Sequence, residues 1–167
     1  MKVLIVGCGR VGGFLAGLLD AEGHHVSVVD IASTTPARAE RAWFQHLPSS
    51  FKGDTILGDG SDLEILRQAG IEQADAVLAL TEGDNRNLMA AQIAKKIFGV
   101  KRVIAKVNDP VRAQMYRQMG IDTISRTSIL GTLLFAMLMD DREVGEVLLR
   151  KALAHEEESA HEPVKVR

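Results

Sequence analysis

The stretch VLIVGCGRVGG, residues 3–13, restricts what this chain can fold into more than any other feature. A short apolar run stops at Gly7, and apolar residues then recur at Val11, Phe14, Leu15, Leu18 and Leu19, the spacing of one helix face. Strand, glycine turn and helix therefore follow one another. Gly7, Gly9 and Gly12 stand in G-x-G-x-x-G order across the turn. In that setting the first glycine permits the tight turn, the second lets a pyrophosphate approach the backbone, and the third lets the helix pack on the strand. The N–H groups at the helix start, aided by the helix dipole, then face an anion. Arg10 adds a permanent cation suited to a terminal phosphate. Gly7, Gly9, Arg10, Val11 and Gly12 are the expected phosphate-side contacts.

The helix is stopped by Gly23, and HVSVVD supplies a second β-branched strand ending at Asp30. A carboxylate about 20 residues beyond the glycine turn suits the hydroxyls of an adenosine ribose, with Ile31 beside it. A 2′-phosphate would meet Asp30 as like charge, with no arginine immediately following, so an unmodified ribose is expected. The residues themselves leave NAD(H), ATP, ADP and AMP open, since all present the same adenosine.

DTILGDG, DAVLAL and RVIAKV supply three more short strands, with helical patterns over residues 61–69, 85–98 and 111–119, closed by Gly70, Gly99 and Gly120. This alternation predicts a Rossmann-like, doubly wound parallel sheet with helices on both faces, an α/β fold of three layers. Thr35-Pro36 reads as the start of a further helix over residues 36–47. Trp43, Phe44 and Phe51 read as a hydrophobic lid on the sheet. Ligands of such sheets bind outside the carboxyl ends of the strands. Asp59, Gly60 and Ser61 would flank the adenine, Leu80, Thr81 and Asn87 would border the far half of the ligand, and Lys106 would meet a phosphate. Ser61, Thr81, Asp84 and Asn108 also suit helix starts and Asx turns.

A length of 167 residues suits one well-cored domain, and 46% hydrophobic with 25% charged residues describes a globular chain. The net charge of −2 gives no basic footprint for nucleic acid. The lone Cys8 cannot form an internal disulfide and reads as a small residue filling a tight loop. The absence of signal-peptide features makes the cytoplasm the expected compartment. The spacing of His155 and His161 fits no zinc motif, so no metal is expected. Residues 129–139 are apolar nearly all round, which requires a cover. Beyond them, residues 143–154 keep a helical spacing and the last residues are polar, predicting a domain over 1–140 and a short extension with a disordered tail over 141–167.

Taken together, VLIVGCGRVG, GHHVSVVD, GDGSD, AGIEQADAVLALTEGDNRN, AKKIFGVKRVIAKVNDP and GIDTISRT resemble the TrkA N-terminal domain family, also called RCK or KTN domains, over residues 1–140. The resemblance implies a cytoplasmic regulatory subunit that binds an adenine nucleotide and gates an integral-membrane potassium channel or transporter, lying at the inner face of the membrane through that partner. It implies that a last helix crosses over to a neighbouring copy, which would cover the apolar face of residues 128–140 in a homodimer or larger ring. It also implies Arg10 and Lys106 on phosphates, Asp30 on the ribose and Asp59–Ser61 around the adenine. These residues carry no match to the second lobe usual in the family, so a single-domain member is expected. Ser125, Arg126 and Thr127 stand where some ATP-dependent members carry a cation-binding acid. A competing reading, a small NAD-dependent oxidoreductase, needs a general acid or base beside the ligand. His24 and His25 precede the second strand, away from the binding edge, so no catalytic residue and no enzyme is expected. A third reading is a nucleotide-binding regulator that docks on another soluble protein.

Overall fold

The computed structural model describes residues 1–31 and 44–139. The chain divides into two compact units, Met1–Ser125 and Arg126–Arg167. In the first unit β1 (Lys2–Val6), β2 (His25–Asp30), β3 (Asp54–Leu57), β4 (Ala76–Ala79), β5 (Arg102–Lys106) and β6 (Asp122–Ile124) form one parallel sheet in the order β3-β2-β1-β4-β5-β6. The order runs outward from β1 to β3 and restarts on the other side of β1 with β4. The crevice that ligands of open α/β sheets use lies at such a reversal, outside the carboxyl ends of the strands.

The connecting helices are α1 (Arg10–Ala21), α2 (Leu63–Gln68), α3 (Asp84–Gln92) and α4 (Pro110–Gln118). A π turn, Ile93–Ile97, extends α3, and a 3₁₀ turn, Ile71–Gln73, leads into β4. Side chains alternate along each strand, and on β1 both faces are buried, which explains the unbroken apolar run at its start. Val3, Ile5, Val26 and Val28 pack with Ala16 of α1 on one face. Leu4, Val6, Val29, Val77 and Ala79 pack with Leu66 of α2, Leu88 of α3 and Ala113 of α4 on the other. Full burial of side chains such as Leu4 and Ile5 contributes ~1.5–3 kcal/mol each. The expected doubly wound, three-layer fold is the one observed.

The residue pattern gave five strands, and β6 makes a sixth of only three residues, too short to show a period. Of the helix expected over 36–47, residues 36–43 lie outside the described residues, and residues 44–47 form a turn closed by Leu47 N donating to Phe44 O at 3.0 Å. Phe44 and Phe51 pack against the α1-side cluster, as a lid would, whereas Trp43 lies outside the described residues. The expected boundary after residue 140, the helical spacing over 143–154, and His155 and His161 also lie outside them.

In the second unit α5 (Arg126–Leu138) carries Ile129, Leu130, Leu134, Phe135 and Leu138 with 50% to 79% of their surface exposed. No helix among the described residues is long and apolar enough to cross a membrane.

Candidate functional site

At the sheet reversal the turns after β1 and β4 touch. Gly7 has φ +110°, its N–H donates to Val29 O at 2.7 Å, and Leu80 N–H donates to Val6 O at 2.7 Å. A Cβ on Gly7 would lie 2.7 Å from Thr81 N, and one on Gly12 would overlap the Gly7 carbonyl oxygen. Both glycines are therefore demanded by packing. Gly9 differs: a Cβ there would meet nothing within 4 Å. Between its tightly packed neighbours, the Gly9 backbone faces open space.

Four helices begin along this edge, and they begin in two ways. Asp62 caps α2, accepting from Glu64 N at 2.8 Å, and Asp109 caps α4, accepting from Val111 N at 2.9 Å and Arg112 N at 3.0 Å. The N-caps of α1 and α3 are Gly9 and Gly83, which have no side chain to bond the helix N–H groups. The first N–H groups of a helix have no partner within it. At the reversal point they stay available, and the dipoles of α1 and α3 favour negative charge there. Arg10 and Val11, both exposed, form the first turn of α1.

Asp30 closes β2 beside the glycine turn. Its Oδ2 accepts from Cys8 N and its Oδ1 from Ile31 N, both at 2.8 Å. Two backbone donors fix the carboxylate while each oxygen keeps further acceptor capacity. Cys8 itself is buried, and burial, followed by the nearby Asp30 charge, pushes its thiol up to about 11. The thiol stays protonated at neutral pH, in keeping with a packing role and against a nucleophilic one.

After β3 the chain turns back over β1: a Cβ on Gly60 would overlap the Val6 side chain. Asp59 Oδ1 accepts from Ser61 N at 2.9 Å and from Ser61 Oγ at 2.7 Å. The Ser61 hydroxyl and then its amide hold the Asp59 carboxyl below its usual range, burial opposing, with a further contribution from the Arg86 charge. The expected sites Gly7, Gly9, Asp30, Ile31, Asp59, Gly60, Ser61, Leu80, Thr81 and Lys106 lie on the strand ends or turns of one edge, and Arg10, Val11 and Gly12 in the first turn of α1 at that edge. Leu80 turns its side chain to the α1-side core.

Asn87 requires a correction. It is fully buried, and its Oδ1 accepts from Thr81 N and Oγ1, both at 2.7 Å, while its Nδ2 donates to Thr81 O at 3.0 Å and Lys106 O at 2.8 Å. Two lone pairs and two amide hydrogens are all in use, leaving nothing for a ligand. Asn87 instead ties the ends of β4 and β5 together and sets the position of Thr81. The signal was present: Asn87, Ala91 and Ala94 follow the i, i+4, i+7 spacing of a buried face, and all three are fully buried. Asp84 stands at a helix start, as expected, as the first residue of α3, and it also secures the neighbouring turn, accepting from Asn108 N at 2.9 Å and Asp109 N at 3.0 Å. Helix capping falls one residue later than expected at two places, on Asp62 instead of Ser61 and on Asp109 instead of Asn108.

A cavity of about 100 Å³ opens at the opposite, amino end of the sheet, lined by Lys2, Ser27, His25, Asp54, Gln68 and Gln73 among others. Ligand pockets commonly measure ~300–1,000 Å³, so this cavity is too small for a nucleotide. Among the described residues no group of three or more His, Cys, Asp or Glu side chains could hold a metal ion.

The sequence profile of the TrkA-N domain matches residues 3–127. The Trk system potassium uptake protein TrkA of Streptomyces coelicolor is 44% identical over 125 residues, which are 75% of this chain and 52% of that protein. The chain spans about half the length of the curated relatives it matches. Among solved structures, the Kef CTD of Shewanella denitrificans in its AMP-bound form superposes with a TM-score of 0.65 at 20% identity, covering 96% of this chain and 99% of that one. GsuK bound to ADP superposes with a TM-score of 0.64 at 22% identity, covering 84% of this chain and 34% of that one. The sequence profile and a relative 44% identical over 75% of the chain give the assignment: this chain belongs to the TrkA-N domain family.

Proposed function

We propose that this chain is a nucleotide-sensing regulatory domain of a potassium uptake system, binding an adenine nucleotide at the β1–β4 crevice and altering transport in a membrane partner. The observation that carries the reading is the pairing of two features across one turn: the open backbone at Gly9 and the oriented carboxylate of Asp30, joined through the Cys8 amide. A phosphate suits the first and ribose hydroxyls suit the second. The AMP- and ADP-bound relatives in fold, and the potassium uptake proteins related in sequence, support the choice of ligand class and partner.

Coupling requires two arrangements of the protein that bind the ligand unequally, with typical coupling of ~1–3 kcal/mol. The apolar α5 supplies the surface for such arrangements, crossing to a second copy through residues 128–140 in a homodimer or larger ring. Its exposed Leu134, Phe135 and Leu138 are a large apolar surface for a lone chain.

Calorimetry of the full chain with AMP, ADP, ATP, NAD⁺ and NADH tests the ligand class. Saturable binding of at least one, weakened tenfold or more by Asp30→Ala, is expected. No heat from any of them would remove the sensing role. Recovery of an integral-membrane transport protein by the tagged chain from native membranes tests the partner, and recovery of soluble proteins alone would favour a regulator of another kind.

A further inference from the structure

Charge is divided unevenly along the amino edge of the sheet. Where α1 ends and β2 and β3 begin, acids are matched: Glu22 lies 3.7 Å from His24, Asp54 lies 3.2 Å from His25, and Asp20 accepts from Lys52 N at 3.0 Å. Where α3 ends and β5 begins, the chain reads AKKIFGVKRV over residues 94–103, with Lys95, Lys96, Lys101 and Arg102 and no acid among them.

The fold gathers these cations at one place. α3 and its π turn run from the carboxyl edge to the amino edge, and β5 starts back at Arg102. Lys95 Nζ donates to Lys101 O at 3.0 Å, which ties the helix end to the start of the strand. The last turn of α4 joins them: a Cβ on Gly120 would lie 3.4 Å from Lys95 Cε, and Gly120 N donates to Arg117 O. Lys95, Lys96 and Arg117 complement the carbonyl ends of their helices. Lys101 and Arg102 belong to no helix, so that role does not explain them. Lys96, Lys101, Arg102 and Arg117 are exposed, and among the described residues no carboxylate lies within ion-pair distance of them. The acids at the neighbouring strand starts are Asp75, which accepts from Lys2 N at 2.7 Å, and Asp122. Ile97 stands among the cations with 58% of its surface exposed.

We propose that this end of the sheet, through Lys96, Ile97, Lys101, Arg102 and Arg117, is a contact for an anionic bilayer surface. Unpaired like charges repel one another, and anionic headgroups relieve that repulsion. Lysine and arginine reach headgroups with their charged ends while their stems and Ile97 enter the boundary layer. A single-stranded nucleic acid would want an exposed aromatic face to stack on. The aromatic residue here, Phe98, is partly buried against the core, and its ring lies under Arg67 at 5.6 Å, so the patch favours the bilayer. Because the strands are parallel, a domain held by their amino ends turns the Gly9 crevice away from the bilayer and toward solvent. The contact stands whether or not a nucleotide binds.

Co-sedimentation of the full chain with vesicles of phosphatidylcholine alone, and with vesicles of phosphatidylcholine and phosphatidylserine in equal parts, tests this. Wild type should sediment with the mixed vesicles and not with phosphatidylcholine alone, and raised salt should release it. The triple variant Lys96→Glu, Lys101→Glu, Arg102→Glu should lose tenfold or more of its affinity for the mixed vesicles, and Ile97→Ser about threefold. The melting temperatures of both variants should match wild type, since the replaced side chains are exposed. Absence of sedimentation with the mixed vesicles, or equal sedimentation of wild type and the triple variant, would overturn the contact. Unchanged binding of Ile97→Ser, or equally tight binding of wild type to a short single-stranded RNA, would overturn its assignment to a bilayer.

Discussion

The helices that start along the carboxyl edge form two contrasting pairs. α2 and α4 begin on aspartates that bond their first amides, as an ordinary stable helix does. α1 and α3 begin on glycines and leave those amides open, and these are the two helices that follow β1 and β4, the strands at which the sheet order reverses. The difference separates stability from binding. Glycine at an N-cap costs only a few tenths of a kcal/mol against aspartate, and along this edge that cost falls on the two helices that flank the crevice.

Several substitutions break or sharpen this contrast. The largest effect is expected from Asn87→Ala, which leaves the Thr81 and Lys106 backbone groups without their buried partner. A loss of about 3–4 kcal/mol in denaturant unfolding should accompany weakened ligand binding, because the β4 turn loses its anchor. Unchanged stability would show that the β4 turn holds its shape alone.

Next is Cys8, inside the open turn. Its thiol titrates higher in the fold, at about 11, than the ordinary value of 9.0. The protonated form is therefore the one the fold favours: its contribution is complete below pH 9 and is lost as pH rises through about 11. Wild type should lose about 2–3 kcal/mol more than Cys8→Ala across that window. Parallel alkaline unfolding curves would contradict the buried, neutral thiol.

Gly9→Ala follows. The new methyl meets nothing in the free protein, so stability should change by no more than about 1 kcal/mol. It occupies the space where we propose a phosphate binds, so ADP affinity should fall at least tenfold. Smallest are Asp62→Ala and Asp109→Ala, each expected to lower stability by about 1 kcal/mol and to leave ADP affinity within about twofold. An Asp62 or Asp109 variant that loses ligand but not stability would invert the comparison.

Much of this arrangement was legible in the sequence because it is written in local patterns. The β-branched runs gave β1, β2, β4 and β5, and the glycines closing the helices, Gly70 and Gly120 among them, do take left-handed φ. The G-x-G-x-x-G turn with Asp30 at the next strand end located the crevice. What local pattern does not carry is direction. Ser61 and Asp62, or Asn108 and Asp109, are adjacent residues of equal capping ability, and only the path of the chain selects the second of each pair. Asn87 and Arg86 are likewise adjacent polar residues at one helix start, and one is fully buried while the other is exposed. Their opposite burial follows from which face of α3 meets the sheet. β6 is not legible as a local pattern because Asp122, Thr123 and Ile124 form a strand only by pairing with β5.

The most direct test of the account is an amide-shift titration of the isotope-labelled full chain with ADP. The account predicts that the largest shifts gather at residues 7–12, at Asp30 and Ile31, and at residues 59–61. It also predicts that Lys2, His25 and Asp54, at the amino-end cavity, stay unmoved. Shifts centred on that cavity, or no shifts at saturating ADP, would contradict it.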